Sequence, residues 1–142
     1  MKVNSPDIEE NEIIPRDFTC DGEDISPELN IEDAPEDTKS FALVVEDPDA
    51  PMGTFVHWRV HDIPATKTNI KRGEVPGKQV RNDFGKEDYG GPCPPSGTHR
   101  YYFIVYALDV ETLGSVDENN FDEQVKAHTI AKAELMAKYA RV

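Results

Sequence analysis

The sequence predicts a mostly β protein, an antiparallel β-sandwich with one α-helix at its C-terminal end. Three segments, 40–46, 55–63 and 100–109, have the apolar runs or two-residue alternation of strands. Helix signals occur only near the C-terminus, so strands and helices do not alternate as they do in doubly wound folds. The 142 residues fit one domain, 1–142, that buries roughly 70% of the surface of the unfolded chain.

The first and third of these segments have the composition of buried strands. Residues 40–46 form a nearly continuous apolar run that ends at the prolines of the sequence DPDAP. Residues 100–109 are apolar or aromatic on both faces, which is typical of a central strand. His99 comes directly before this strand.

The second segment alternates, which predicts two different faces. We expect Val56, Trp58 and Val60 on one face, and a more polar set on the other: Phe55, His57, Arg59 and His61. His57 should therefore point away from the side of Trp58.

The remaining organisation is a long loop followed by a helix. Residues 67–96 are rich in glycine, proline and charge, and they predict a long functional loop. Asn120 can cap a helix with Glu123 three residues later. Basic residues at the far end, Lys138 and Arg141, suit a helix that continues to the end of the chain. Its predicted apolar face consists of Phe121, Val125, His128, Leu135 and Tyr139.

The net charge of -13 lies in the N-terminal third, because residues 1–50 hold 16 acidic and 3 basic residues and the rest is balanced. Such a surface disfavours nucleic acid and anionic membranes as partners. We interpret it as a solvated face, with adaptation to high salt or temperature as the alternative. No segment has the length or composition of a transmembrane span or a secretion signal, so we expect a cytoplasmic protein.

Cys20 and Cys93 lie far apart and have neither zinc-site nor redox-motif spacing. A disulfide between them has no support in the spacing, and in a cytoplasmic chain we expect two reduced, dispensable thiols. Cys93 lies in the long loop and could be a nucleophile, but no base is placed next to it, so an inert thiol is the preferred interpretation.

Four polar residues could meet at one end of the sheet: Asp47, Asp49, His57 and His99. A carboxylate beside an imidazole raises the pKa of the imidazole, and a protonated histidine pair attracts phosphate. Anion binding should then strengthen as the pH falls through roughly 6 to 7. The backbone amides of three glycines could approach the anion, and the Tyr101 hydroxyl could donate to it. These glycines are Gly90, Gly91 and Gly97.

Some of these residues have equally good structural interpretations. Asp49 stands between two prolines, and its role could be limited to capping a turn through its own backbone. Arg100 could hold an aspartate of the pocket rather than touch a ligand. His61 and His128 are interpreted as packing or surface residues. The two closely spaced prolines also predict a cis Ala50–Pro51 bond, which would turn both carboxylates toward the pocket.

Four motifs carry a family resemblance: TCDGEDISPEL at 19–29, DPDAP at 47–51, FVHW at 55–58 and GGPCPPSGTHRY at 90–101. In this order they resemble the short bacterial and archaeal branch of the phosphatidylethanolamine-binding proteins, also called Raf kinase inhibitor-like proteins. Ile31 stands where that branch is expected to have tryptophan. The resemblance places residues 131–135 in a C-terminal helix and implies a Greek-key sandwich with short peripheral helical turns.

The resemblance also implies a site. Its anion pocket corresponds here to Asp47, His57, Gly91, His99 and Tyr101, with Pro51, Pro95 and Arg100 in support.

These observations predict a non-catalytic protein that binds a small anion, phosphoryl or resembling a phospholipid headgroup, without a cofactor. The resemblance adds two alternatives: a serine-protease inhibitor and a regulator that binds a kinase. A metal-dependent enzyme is a further alternative, because two histidines and two carboxylates can bind zinc or iron. No motif names a reaction, and a homodimer is left open.

Overall fold

The predicted strands form the middle of the larger of two antiparallel sheets. The computed structural model describes residues 1–141. In the large sheet, strands β3 (Ser40–Asp47) and β7 (Thr98–Leu108) are neighbours, and β4 (Phe55–Pro64) pairs with the other edge of β3. The outer strands of this sheet are β6 (Lys78–Val80) and β8 (Thr129–Ala140).

The small sheet has three short strands. They are β1 (Lys2–Asn4), β2 (Leu29–Glu32) and β5 (Asn69–Ile70), in the order β1-β2-β5. A 3₁₀ turn at Arg16–Phe18 and helix α1 (Phe121–His128) complete the elements of the described residues. Two antiparallel sheets with one helix confirm the predicted fold class.

The main core joins residues of both sheets. Phe41, Leu43 and Val45 of β3 pack with Leu29 and Ile31 of β2 in one buried cluster. Ile31 is buried there, in the place where the family resemblance leads one to expect tryptophan. A second cluster lies on the back of the large sheet, where α1 covers it. This cluster contains Ala42, Val44, Val80, Leu108, Phe121 and Val125.

The predicted extent of the helix is wrong, because α1 ends at His128 and residues 129–140 form β8. β8 pairs with β7 along nearly its whole length. The segment assigned to a helix by resemblance, 131–135, is therefore strand. Its odd-numbered residues pack against the core, which is a two-residue period hidden among residues of high helix propensity. The odd-numbered set is Ala131, Ala133, Leu135, Ala137 and Tyr139.

The predicted helix cap is absent as well. Asn120 has helical dihedral angles and makes no side-chain capping bond. Its Oδ1 instead accepts a hydrogen bond from the Asp117 amide at 2.9 Å. The start of α1 is thus organised by the preceding turn.

A β-bulge changes the predicted faces of β4. Val45 pairs with Trp58 and Glu46 pairs with Val56, so β4 has one extra residue, His57, at this point. Val56 packs with the back cluster, whereas Trp58 belongs to the core between the sheets. The prediction that Val56 and Trp58 share a face, with His57 opposite, is wrong because the bulge shifts the alternation.

Two further expectations are corrected. Cys20 and Cys93 form a disulfide, with their Cα atoms 5.5 Å apart. The Cys20 amide donates to the Pro92 carbonyl at 3.1 Å, which places the two segments side by side.

The Ala50–Pro51 bond is trans, as are the other peptide bonds of the described residues. The turn is instead stabilised by the Asp49 amide, which donates to Asp47 Oδ1 at 2.8 Å, and by Gly53 with φ of 103°.

The helices of the described residues include none that is long and apolar enough to cross a membrane.

Candidate functional site

A cavity of about 600 Å³ opens where β3 ends and where β4 and β7 begin. Antiparallel pairing brings these three points to the same end of the large sheet. We call it the cavity throughout. Its polar lining residues are Asp47, Thr54, His57, Asp83, His99 and Tyr101. The remainder is largely apolar and includes Ala50, Pro51, Met52, Phe55, Phe84, Pro94 and Pro95.

Asp47 and His99 form a buried pair at the base of this end of the sheet. His99 Nδ1 lies 2.6 Å from Asp47 Oδ2. The other carboxylate oxygen of Asp47, Oδ1, accepts from the Asp49 amide. Because the protein engages both oxygens, Asp47 orients the imidazole of His99 and holds the turn that follows β3.

The second ring nitrogen of His99 also has a partner within the protein. His99 Nε2 lies 3.1 Å from the Ser96 carbonyl oxygen. A carboxylate and a carbonyl both accept hydrogen bonds, so the imidazolium form of His99 satisfies both contacts by donating from each nitrogen. In that form the ring also balances the buried charge of Asp47.

His57 is arranged differently. Its Nδ1 lies 2.7 Å from the Gly90 carbonyl oxygen, and its Nε2 has no hydrogen-bond partner among the described residues. Burial lowers the pKa of His57, although the Gly90 carbonyl and the Asp47 carboxylate act in the opposite direction. At neutral pH the ring is therefore neutral, with Nδ1–H donating to Gly90 and a lone pair on Nε2.

Tyr101 lies beside His57 on the adjoining part of the cavity wall. The ring centroids are 5.4 Å apart, and the Tyr101 side chain is fully buried. Its hydroxyl makes no hydrogen bond within the described residues, although the Asp47 carboxylate and the Cys93 backbone lie near it. Burial, followed by the charge of Asp47, raises the pKa of Tyr101 well above its usual value, so the phenol remains a donor. A buried hydroxyl without a partner costs about 1–3 kcal/mol, which a ligand acceptor could recover.

Asp49 and Arg100 pair with each other and do not line the cavity. Arg100 Nε and Nη2 lie 2.9 and 2.7 Å from the two Asp49 carboxylate oxygens, and the Arg100 amide also donates to Oδ2. The guanidinium lowers the pKa of Asp49 to about 2. The pair fastens the turn after β3 to the start of β7, which is the structural interpretation of both residues.

Gly91 lies behind the cavity wall. Its amide donates to Asp24 Oδ1 at 2.7 Å, and a Cβ at this position would clash with the Phe18 carbonyl oxygen. The Gly90 amide donates to the His57 carbonyl. Two of the three amides expected to approach an anion are thus used within the protein.

Comparison with known proteins decides the family. The model of the phosphatidylethanolamine-binding protein family matches residues 4–140. This chain belongs to that family. A UPF0098 protein of Aquifex aeolicus (strain VF5) is 46% identical over 152 aligned residues, covering 99% of this chain and 89% of the relative.

Solved structures agree with this assignment. The crystal structure of CT736 from Chlamydia trachomatis matches with a TM-score of 0.92 and 36% identity, over 99% of this chain and 97% of that one. The structure of E. coli YbcL, described as a member of the mammalian PEBP family, matches with a TM-score of 0.93 and 34% identity. The match covers 99% of this chain and 98% of YbcL.

In this member of the phosphatidylethanolamine-binding protein family, the cavity also contains residues that the sequence did not single out. Asp83 Oδ2 accepts from the Val56 amide at 2.7 Å. Phe55 and Phe84 stand edge-on to the His57 ring, with centroids 5.1 and 5.2 Å away. Asp83 and Phe84 lie in the predicted functional loop and Phe55 begins β4, and no spacing signal marks them as site residues.

The other histidines lie outside the cavity lining. His61 is buried, and its Nδ1 lies 2.8 Å from Asp62 Oδ1. His128 Nδ1 lies 2.9 Å from Asp109 Oδ1. Within residues 1–141, no group of three or more His, Cys, Asp or Glu side chains is placed to hold a metal ion.

Proposed function

We propose that the cavity binds a small anion, a phosphoryl group or similar headgroup, and does not transform it. One observation carries the proposal. The Tyr101 hydroxyl is buried without a partner in the cavity wall, next to His57, whose Nε2 is also without a partner. A phosphoryl group presents several oxygens, and it could accept from Tyr101 while sharing a proton with His57.

The charge around the cavity determines how such an anion would bind. No lysine or arginine is among the lining residues, and Asp47 and Asp83 contribute negative charge. Attraction of an anion therefore depends on the histidines. Because the pKa of His57 is lowered, either this ring takes up a proton on binding or the ligand brings one as a monoanion.

Binding without reaction is the simpler role for this residue set. Cys93 lines the cavity but is held in a disulfide, so it offers no thiolate for attack. The carboxylate of Asp47 and both nitrogens of His99 are engaged within the protein. This leaves the Tyr101 hydroxyl as a donor and His57 Nε2 as the position of a shared proton, and the raised pKa of Tyr101 keeps its hydroxyl from acting as a nucleophile.

Calorimetric titration with inorganic phosphate and phosphoethanolamine tests the proposal. His57→Gln should weaken binding roughly ten- to a hundredfold, because it removes a charge-assisted contact of about 1.5–3 kcal/mol. His61→Gln is the matched control, since His61 is a buried histidine of the same strand outside the cavity. Circular dichroism confirms folding of both variants. Absence of saturable binding by the wild type, or equal losses in the two variants, would contradict the proposal.

A further inference from the structure

One short segment supplies hydrogen-bond acceptors to both cavity histidines. The Gly90 carbonyl accepts from His57 Nδ1, and the Ser96 carbonyl lies against His99 Nε2. Cys93 stands midway between these two residues and is joined to Cys20 by the disulfide. The covalent link is thus placed to fix the segment that orients both imidazoles.

The first half of this segment has several other attachments. The Tyr89 hydroxyl donates to the Phe18 carbonyl at 2.7 Å, and the Gly91 amide donates to Asp24 at 2.7 Å. The Pro92 carbonyl accepts from the Cys20 amide at 3.1 Å. These bonds hold residues 89–92 against the N-terminal loop with or without the disulfide.

The second half has fewer attachments. Pro94 and Pro95 have no amide hydrogen to donate. Among the described residues, segment 94–97 makes one hydrogen bond to a side chain outside it, between the Ser96 carbonyl oxygen and His99 Nε2. The Cys93 sulfur is therefore the last attachment to the N-terminal loop before β7 begins at Thr98.

We propose that the Cys20–Cys93 disulfide positions His99 through the 94–96 segment, and that its reduction weakens anion binding in the cavity. The inference rests on the proposed function for the effect on binding, but not for the effect on His99. Both cysteines are half-buried, and Cys93 lines the cavity, so the bond is open to a small thiol. The site would then respond to the redox state of its surroundings.

The reaction is an exchange with a dithiol reductant. A thiolate of the dithiol attacks one sulfur of the pair, the protein S–S bond breaks, and a mixed disulfide forms. The second thiol of the reductant displaces the remaining protein sulfur. Cys20 and Cys93 become thiols with the two electrons and two protons that the dithiol loses as it is oxidised to its own disulfide.

Reduction should affect the two histidines unequally. His57 keeps the Gly90 carbonyl, because residues 89–92 remain attached to the N-terminal loop. His99 keeps its contact with Asp47, but the Ser96 carbonyl that contacts His99 Nε2 is no longer held in a fixed position. Loss of a fixed wall and ring orientation reduces the preorganisation of a site, which weakens binding.

The test compares the full chain before and after treatment with dithiothreitol. Nitrogen-15 NMR of the imidazole rings should show a large change at His99 and a small one at His57. Calorimetry should show phosphate affinity reduced about three- to tenfold. The double variant Cys20→Ser and Cys93→Ser should match the reduced protein and should not respond to the reductant.

Two control variants separate positioning from a general loss of stability. Asp24→Asn weakens the other attachment, at Gly91, and should change the His57 resonances more than those of His99. Val125→Ala lowers stability from the back cluster and should leave both rings and the phosphate affinity unchanged. If the double cysteine variant does not fold, the reduced wild type under strictly anaerobic conditions provides the same comparison.

Each result decides the question. Unchanged His99 resonances, equal changes at the two histidines, or equal or tighter phosphate binding after reduction would overturn the inference. If the oxidised protein binds no phosphate, the proposed function fails, and the NMR comparison alone decides whether the disulfide positions His99.

Discussion

Two histidine–aspartate pairs with buried imidazoles lie in the large sheet, and the two pairs have different roles. His99 Nδ1 meets Asp47 at 2.6 Å beside the cavity, and His61 Nδ1 meets Asp62 at 2.8 Å away from it. Around Asp62, Thr112 Oγ1 and the Leu113 amide supply further hydrogen bonds, which fasten the loop after β7 to β4. Around Asp47, by contrast, the neighbouring Tyr101 hydroxyl has no partner.

The comparison shows that a histidine–aspartate pair does not by itself mark a binding site. The pairs resemble each other in distance and burial, yet His61 packs near the Phe121 ring, 6.4 Å away, and His99 lines a cavity. The unpartnered donor and the open volume distinguish the candidate site.

The largest expected effect is on stability at the cavity end. Reduction of the disulfide, whose cysteines are 73 residues apart, should lower the free energy of unfolding by roughly 4 kcal/mol through loss of a chain constraint. Urea denaturation of the oxidised and reduced protein measures the difference. Coincident unfolding curves would show that the covalent link adds no stability.

The second-largest effect is a loss of stability at the His61–Asp62 pair, outside the cavity. Burial alone would raise the pKa of Asp62, but hydrogen bonds from Thr112, His61 and Leu113 bring it to about 2. A lowered folded-state pKa stabilises the fold above the unfolded value near 3.8, and this contribution is lost as the pH falls from about 4 to 2. Because solvent screens part of this shift at a partly exposed carboxyl, Asp62→Asn should cost roughly 1–2 kcal/mol at pH 7.

The corresponding measurement is urea denaturation of wild type and Asp62→Asn at pH 7 and pH 2.5. The difference between the two proteins should shrink at the lower pH, and phosphate affinity should be the same in both at pH 7. A variant that lost binding but not stability would reverse the roles assigned to the two pairs.

The sequence led to four of the six polar residues that line the cavity, but to fewer of the residues that hold its wall in place. The apolar runs and the family motifs led to Asp47, His57, His99 and Tyr101, and the structure brings these four side chains to one cavity. Asp49 and Gly91, chosen on the same grounds, lie outside its lining and bond within the protein. The choice between touching a ligand and supporting the wall depends on distances that the motifs do not contain.

Three features of the fold were hidden for physical reasons. Residues 129–140 combine residues of high helix propensity with a two-residue burial period, and pairing with β7 decides in favour of a strand. The bulge at His57 adds a residue without a marker such as glycine. The disulfide joins cysteines 73 residues apart, which become neighbours only when the N-terminal loop packs on the cavity wall.

A smaller effect concerns the pH dependence of binding. The sequence led us to expect stronger binding as the pH falls through roughly 6 to 7. Because burial lowers the pKa of His57, the rise should begin below about 6.5 and continue toward lower pH. Phosphate titrations from pH 5 to 8 should show affinity increasing up to about tenfold in the wild type and much less in His57→Gln. If phosphate affinity changed equally with pH in the two proteins, protonation of His57 would not contribute to binding.

The smallest effect is expected at the exposed pair outside the cavity. Arg100→Gln breaks the pair with Asp49, and an exposed ion pair contributes about 0–1 kcal/mol. Stability should change by no more than this, and phosphate affinity should stay within about twofold of the wild type. A large loss of affinity in the folded variant would indicate that Arg100 itself contacts the anion.

The central claim is that the unpartnered Tyr101 hydroxyl in the cavity wall helps to hold the anion, and Tyr101→Phe tests it most directly. This change removes the unpartnered hydroxyl and leaves the buried ring in place. Tyr106→Phe is the matched control, because Tyr106 lies in the same strand and packs with the back cluster. Calorimetry with inorganic phosphate should show affinity about five- to tenfold lower in Tyr101→Phe and unchanged in Tyr106→Phe, with Tyr101→Phe at least as stable as the wild type. Wild-type affinity in a folded Tyr101→Phe protein would contradict the claim.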